Sequence, residues 1–351
     1  MVFVTGGTGL VGRHLVDELL RKNEEVRLLC RPQTDRAQLL DFLKSCGTDA
    51  SGLTWVEGAM DDGMFLEEAL QGCSRVYHCA ALVSFHRRDA EALMRVNRDA
   101  TGILVNAMLE VGVPELVHVS SVAALGRKPG EPVHEDVPFE EDRGVSHYAR
   151  SKFQAELEVW RGQEEGLKVL AVNPVIVLGP GDFSRSSSML FTLVHRGLNW
   201  YPTGANGFVS ARDVGRAAVL LAETGCWGER FVVCAENCSY RQLMQWMAEA
   251  MGVHAPQRPL RSWMMGAAWR LSAAWEMLSG QRAPISKESV ETTHRDHRYA
   301  SDKLERALAA KGVEWNYASL KATVEETVPF LIAALGPPKK PIAPSAQRSP
   351  R

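Results

Sequence analysis

The chain has 351 residues, a formal net charge of −2, 45% apolar residues and 23% charged residues. That is apolar material for one large or two modest cores. The near-balance of charge offers neither the basic excess of a nucleic-acid binder nor an acidic solvating block. Seven cysteines, at 30, 46, 73, 79, 226, 234 and 238, are scattered without paired Cys-x-x-Cys sets or Cys/His clusters. No metal is expected, and free thiols in a reducing cytoplasm are. The sequence starts inside an apolar run with no charged or apolar leader before it, so no signal peptide is expected either.

In chain order, short apolar runs at 2–5, 25–30, 53–57, 75–79, 115–120 and 168–172 read as strands. Helical periodicity fills the intervals at about 10–22, 35–45, 62–71, 88–112 and 147–165. The alternation predicts an α/β fold, a doubly wound parallel sheet with helices on both faces. The first strand passes through Thr5 into Gly6-x-x-Gly9-x-x-Gly12, and Leu10, Val11, His14, Leu15 and Leu19 open an amphipathic helix. A strand ending in a glycine-rich turn presents backbone N–H groups and the positive end of the next helix to a pyrophosphate. Gly6, Thr8, Gly9, Leu10, Val11 and Gly12 are therefore expected to hold a dinucleotide.

The second strand ends Glu25-Val-Arg-Leu-Leu-Cys30-Arg31, without the carboxylate that would accept from a ribose 2′-hydroxyl. Arg31 and Arg36 suit a 2′-phosphate instead, which favours NADP over NAD, although Asp35 offers NAD a carboxylate on the following loop. The fifth strand runs Leu116-Val-His-Val-Ser-Ser-Val-Ala-Ala-Leu-Gly126 and ends in Ser120 and Ser121, both placed to hydrogen-bond a substrate oxygen at the carboxyl edge of the sheet. Tyr148-Ala-Arg-Ser-Lys152 puts a phenol and an ammonium on one helix face, where the cation stabilises a phenolate. Tyr299-x-x-x-Lys303 and Tyr317-x-x-x-Lys321 repeat the spacing. Location selects Tyr148, because its helix follows the fifth strand and the other two lie among the C-terminal helices.

After Asn173-Pro174 the rhythm gives way to Gly/Pro/Ser-rich loops around Gly179-Pro180-Gly181-Asp182, 184–188 and 204–207. Residues 1–172 are expected to form the dinucleotide-binding domain. Residues 173–335 then form a smaller C-terminal substrate lobe with interleaved sheet elements, and the Pro-rich, basic 336–351 a disordered tail. Ser262 to Gly280 is rich in Trp and Met, and positions 264, 268, 271, 275 and 278 share a helical face. Packing is favoured for it over a subunit or membrane-surface contact.

Over residues 1–330 the sequence resembles the extended short-chain dehydrogenase/reductases, the NAD-dependent epimerase/dehydratase family. The 3β-hydroxysteroid dehydrogenase and dihydroflavonol reductase branches are the nearest. The likeness rests on the Gly6/Gly9/Gly12 spacing, Tyr148/Lys152, His118-Val-Ser-Ser-Val-Ala-Ala-Leu-Gly126, Asn173-Pro174 and Gly179-Pro-Gly-Asp182. It implies a Rossmann fold and, by counting back from Gly126, makes Ser121 the catalytic serine with Ser120 as its neighbour. It implies that Asn97 completes a catalytic tetrad and anchors a water leading from Lys152 to solvent. His78-Cys-Ala-Ala81 lies along the cofactor, so Ala80 and Ala81 contact it with Met60, Tyr148, Lys152, Asn173, Pro174 and Val175. Val83 and Ser84 join Ser121 and Tyr148 around the substrate.

Two departures matter. Gly58-Ala59-Met60 stands where the family often has Gly-Asp-Leu, so the adenine contact is missing or supplied by Asp61 or Asp62. Val122-Ala123-Ala124 stands where a dehydratase carries an Asp-Glu pair. The expected activity is reversible hydride transfer between nicotinamide and a secondary alcohol or ketone of an apolar small molecule, steroid- or flavonol-like. Leu82-Val83-Ser84-Phe85 and the Trp/Met-rich segment supply the apolar surroundings. The alternatives are a nucleotide-sugar epimerase and a non-catalytic NADP-binding sensor or scaffold. A homodimer through helices 88–112 and 147–165 is also implied.

Overall fold

All four residues of β1 (Val2–Thr5) are buried, a pattern that requires cover on both faces of the sheet. The computed structural model describes residues 1–128, 130–141, 144–261, 263, 264, 266, 269 and 295–338. β1 pairs in parallel with β2 (Val26–Cys30), which pairs with β3 (Leu53–Glu57), and on its other side with β4 (Arg75–His78). Beyond β4 lie β5 (Glu115–Val119), β6 (Lys168–Pro174) and β7 (Glu229–Val233), again all parallel. The order β7-β6-β5-β4-β1-β2-β3 reverses between β1 and β4. In such sheets the crevice outside the carboxyl ends at the reversal is the ligand site.

The six strands read from sequence are present with ends shifted by at most two residues, and β7 is an addition that the loop-rich sequence after 173 concealed. The helices α1 (Leu10–Arg21), α2 (Ala37–Ser45), α3 (Gly63–Leu70) and α6 (His147–Glu164) also follow expectation. Ser146 opens α6 by accepting from the Ala149 amide at 2.9 Å. The expected helix 88–112 differs. It comprises a 3₁₀ turn at Arg87–Asp89, α4 (Ala90–Leu93), a π turn at Met94–Asp99 and α5 (Ala100–Val111). Between the sheet and α3, α5 and α6, a fully buried cluster of Phe3, Leu66, Val76, Leu104, Met108, Leu116 and Val159 holds the layers together.

The chain divides into two units. The first holds 1–177, 206–237 and 297–318, and the second 178–205, 238–296 and 319–351. Residues after 173 thus return to the first unit twice, bringing β7, α8 (Ala211–Glu223) and α10 (Asp302–Ala309) with them; α7 (Met189–His195) and α9 (Tyr240–Met251) belong to the second unit, where α9 packs on α7 and on α11 (Leu320–Leu335). In the second unit the short strands Trp200–Pro202 and Arg258–Leu260 also pair. Most of the Trp/Met-rich segment, and the tail from 339, lie outside the described residues.

Candidate active site

The turn after β1 closes on itself. The Gly9 amide donates to the Gly6 carbonyl at 2.9 Å, and Gly6 has φ +68°. A Cβ on Gly12 would sit 2.1 Å from the Gly6 oxygen, and one on Gly6 would sit 2.5 Å from the Ala80 nitrogen. Only glycine lets these backbones approach so closely. Gly9 is the N-cap of α1 and brings no side chain to cap it. The amides of the first turn, at Leu10 and Val11, are therefore left for an anion. Thr8 lends its carbonyl to Arg13 at 3.0 Å. A bare helix start behind a cradle without Cβ atoms fits a dinucleotide pyrophosphate.

Behind the turn runs a buried chain of hydrogen bonds. The Thr5 hydroxyl accepts from the Ala80 amide and lies 2.7 Å from His78 Nδ1; His78 Nε2 lies 2.9 Å from the Thr101 hydroxyl, which donates to the Asn97 carbonyl. Because Thr101 spends its proton on Asn97, His78 must donate from Nε2 and accept at Nδ1, the neutral tautomer. Burial agrees, pushing the His78 imidazole down to about 3. The Asn97 amide accepts from the Leu82 nitrogen at 2.7 Å and donates to the Leu82 oxygen at 3.0 Å and the Ser151 hydroxyl at 2.9 Å. It therefore fastens the loop of Ala80, Ala81 and Leu82 to α6. A π turn, which carries an extra residue per turn, sets Asn97 there.

On α6, Lys152 is 1% exposed and its Nζ donates to the Val119 carbonyl at 3.0 Å. Burial brings its ammonium down to about 8, while Glu156 and Cys79 pull upward. The Tyr148 phenol is raised by burial and lowered by a hydrogen bond with Ser121. The Ser121 hydroxyl also accepts from the Ala123 amide at 3.1 Å, and the Ser121 carbonyl accepts from Asn173 Nδ2 at 3.1 Å. Ser120, by contrast, is buried with no partner for its hydroxyl. The Phe85 ring meets Tyr148 edge-on at 5.6 Å, and Val83 beside it is exposed. The Ser84 hydroxyl is turned to Asp89 at 2.7 Å. Val175 follows Pro174 in buried backbone, its amide on the Val233 carbonyl. A phenol hydrogen-bonded to a serine on the helix that carries a buried ammonium can pass a proton to or from an alcohol oxygen.

The other end of the crevice is open. Arg31 is exposed at the end of β2. Arg36 pairs with Glu57 and lies over the Trp55 ring at 5.3 Å. Asp35 already accepts from the Ala37 amide and Gln38, both at 3.1 Å. Asp62 caps α3 through the Phe65 amide at 3.0 Å, Asp61 is exposed, and Met60 packs against the core.

Neither other Tyr-x-x-x-Lys match occupies a single helix. Tyr299 bridges to Val133 before α10 begins, and Lys303 pairs with Glu229; Tyr317 lies ahead of α11, against Trp315 at 5.2 Å. The Phe85 contact and the pull of Glu156 on Lys152 escaped sequence reading. Only the apolar run 82–85 carried a signal for the first. Among the described residues, no group of three or more His, Cys, Asp or Glu could hold a metal ion, and no helix is long and apolar enough to cross a membrane.

Residues 2–234 match the sequence model of the NAD dependent epimerase/dehydratase family. The chain is 34% identical over 256 residues to sterol demethylase protein B of Methylococcus capsulatus, covering 72% of this chain and 75% of that protein. It is 30% identical over 269 residues to a putative dihydroflavonol 4-reductase of Synechocystis, covering 75% and 76%. The solved structure of a nucleoside-diphosphate-sugar epimerase from Pseudomonas aeruginosa superposes with a TM-score of 0.75 at 22% identity, over 95% of this chain and 98% of that one, which shows the shared fold. The chain belongs to the NAD dependent epimerase/dehydratase family, as an enzyme of the extended short-chain dehydrogenase/reductase type.

Proposed function

We propose that this enzyme interconverts a ketone and a secondary alcohol on an apolar, steroid- or flavonol-like small molecule, with NADP as its preferred cofactor. The observation that carries the reading is the Tyr148 phenol, hydrogen-bonded to Ser121, on the helix of the buried Lys152 and faced by Phe85. Gly6, Thr8, Gly9, Leu10, Val11 and Gly12 would hold the pyrophosphate, with Met60, Ala80, Ala81, Asn173, Pro174 and Val175 along the rest of the cofactor. When bound, the dinucleotide supplies or accepts hydride at its nicotinamide ring. Tyr148 gives the proton to the carbonyl oxygen or takes it from the hydroxyl. Ser121 holds that oxygen, and the Lys152 ammonium favours the phenolate. Asn97 acts by fixing the Leu82 backbone. Val83 and Phe85, with Ser84 between them, line the substrate's side of the site and make it largely apolar.

NADP is preferred because Arg31 stands exposed while the Asp35 carboxylate is already engaged. The names of the relatives, a sterol demethylase protein and a putative dihydroflavonol reductase, support the apolar substrate class. Exposed Val96, in the π turn, and Leu157, on α6, support a homodimer through the segments 88–112 and 147–165.

The test is titration with NADPH and NADH by nicotinamide fluorescence, followed by steroid and flavonoid ketones. Selective consumption of NADPH is expected. Tightly retained cofactor without net consumption would make the enzyme an epimerase, and tight binding with no turnover of any kind would make it a sensor. Tyr148→Phe is expected to lower kcat by about 10²–10⁴-fold while cofactor affinity stays unchanged. Wild-type turnover in that variant would remove Tyr148 from the mechanism.

A further inference from the structure

Glu156 follows Lys152 by one helical turn and is 1% exposed. A carboxylate taken that far from water needs a charge partner and hydrogen bonds. Glu156 has both, from two different strands. Its Oε1 accepts from Asn173 Nδ2 on β6, and its Oε2, which has no hydrogen bond, lies 3.4 Å from the Arg230 guanidinium on β7. The same Asn173 amide donates to the Ser121 carbonyl at 3.1 Å. Arg230 stacks over Trp160 at 5.5 Å and opens onto a cavity of about 560 Å³ walled by Phe139, Phe153 and Trp160. A continuous path therefore leads from a solvent-facing arginine to the backbone of the serine that bonds Tyr148.

We propose that Glu156, clamped between Arg230 and Asn173, is a positioning residue of the catalytic face: it holds the Ser121 backbone through Asn173 and supplies the counter-charge of the Lys152 ammonium. This rests on the catalytic reading of Tyr148, Ser121 and Lys152 given above. The groups facing Lys152 leave few other sources of negative charge. At the end of β4, His78 is held neutral, and just past it the Cys79 thiol is pushed up to about 12; on β5, His118 is fully buried, its imidazole held far below its ordinary range; on α6, Tyr148 is raised by burial. Glu156 remains as the carboxylate acting on the ammonium, and it pulls Lys152 upward against burial.

Two measurements test this. In cofactor-free protein labelled with ¹³Cε-lysine, the Lys152 resonance, assigned by its loss in Lys152→Met, reports the ammonium directly. Glu156→Gln is expected to move its midpoint down by about one pH unit or more, and to draw the basic limb of kcat down with it. An unmoved midpoint overturns the proposal. Should Glu156→Gln fail to fold, Arg230 decides, since it lies on the cavity wall. Arg230→Gln is expected to lower kcat by about tenfold at unchanged cofactor affinity, and Arg230→Lys to restore most of it. Undiminished kcat in Arg230→Gln overturns the proposal equally. The lysine titration needs no substrate, so a mistaken substrate class would silence turnover in every protein and leave this result readable.

Discussion

The turn after β1 and the end of β2 lie on neighbouring strands and are built from different materials. The turn is made of backbone. Gly9 and Gly12 both close on Gly6, and Thr5 ties the turn through His78 and Thr101 to the Asn97 carbonyl. The end of β2 is made of surface side chains: Arg31 and Asp35 are exposed and Arg36 is half-buried. A site formed by close backbone contact admits almost no substitution, whereas one formed by surface side chains can change partners without disturbing the fold. In this family's sheet, a shared cradle and an adjustable choice of dinucleotide can therefore sit one strand apart.

The contrast breaks most sharply at Gly12. Gly12→Ala places a methyl 2.1 Å from the Gly6 oxygen, and that oxygen is backbone, so it has little room to yield. NADPH affinity is expected to fall about 100-fold or more, with a stability loss of about 1–3 kcal/mol in thermal melts. Survival of both would mean that the turn is softer than its contacts imply.

Acid attacks the same region from beneath. The unfolded chain protonates its histidines below about 6.5, while folded His78 stays neutral down to about 3. The stability this group contributes is complete above pH 6.5 and drains away as the pH falls toward 3, amounting to on the order of 5 kcal/mol. Buried His14 and His118 act in the same direction. Urea midpoints measured from pH 7 to pH 4 should fall steadily, and a flat profile would show that the histidines under the turn are not buried as described.

At the end of β2 the expected effects are smaller and concern preference. Arg31→Ala should cut the NADPH-over-NADH affinity ratio by about tenfold, the worth of one charge-assisted phosphate contact, and leave the melting temperature in place. Arg36→Ala should change that ratio less, because Arg36 is already held by Glu57 and Trp55. The reverse ranking would transfer the phosphate contact to Arg36.

What could be read in the sequence follows from the same contrast. The glycine turn was legible because its chemistry is local: three glycines at fixed spacing between an apolar strand and an amphipathic helix. Tyr148 and Lys152 were legible because one helical turn joins them. β7 was not, because Glu229-Arg-Phe-Val-Val opens on two charged residues and follows glycine-rich loops. The π turn at Met94–Asp99 was read as plain helix, since no Gly or Pro marks the extra residue. Glu156, Asn173 and Arg230 become neighbours only when α6, β6 and β7 assemble, and no spacing along the chain announces that meeting.

The late arrival of β7 also bears on how the protein is made. A nascent chain that has reached any point between residues 175 and 228 already contains every residue assigned a catalytic role, yet the outer edge of β6 has nothing to pair with. In the finished protein Leu170 to Pro174 are buried and matched in register by Glu229 to Val233. Before then, that edge is an unpaired apolar strand available to any other chain. Protein stopped in that interval should associate with other copies of itself even though its glycine turn, Tyr148 and Lys152 are all in place. The seventh strand, which touches no predicted ligand, guards the molecule during its own synthesis.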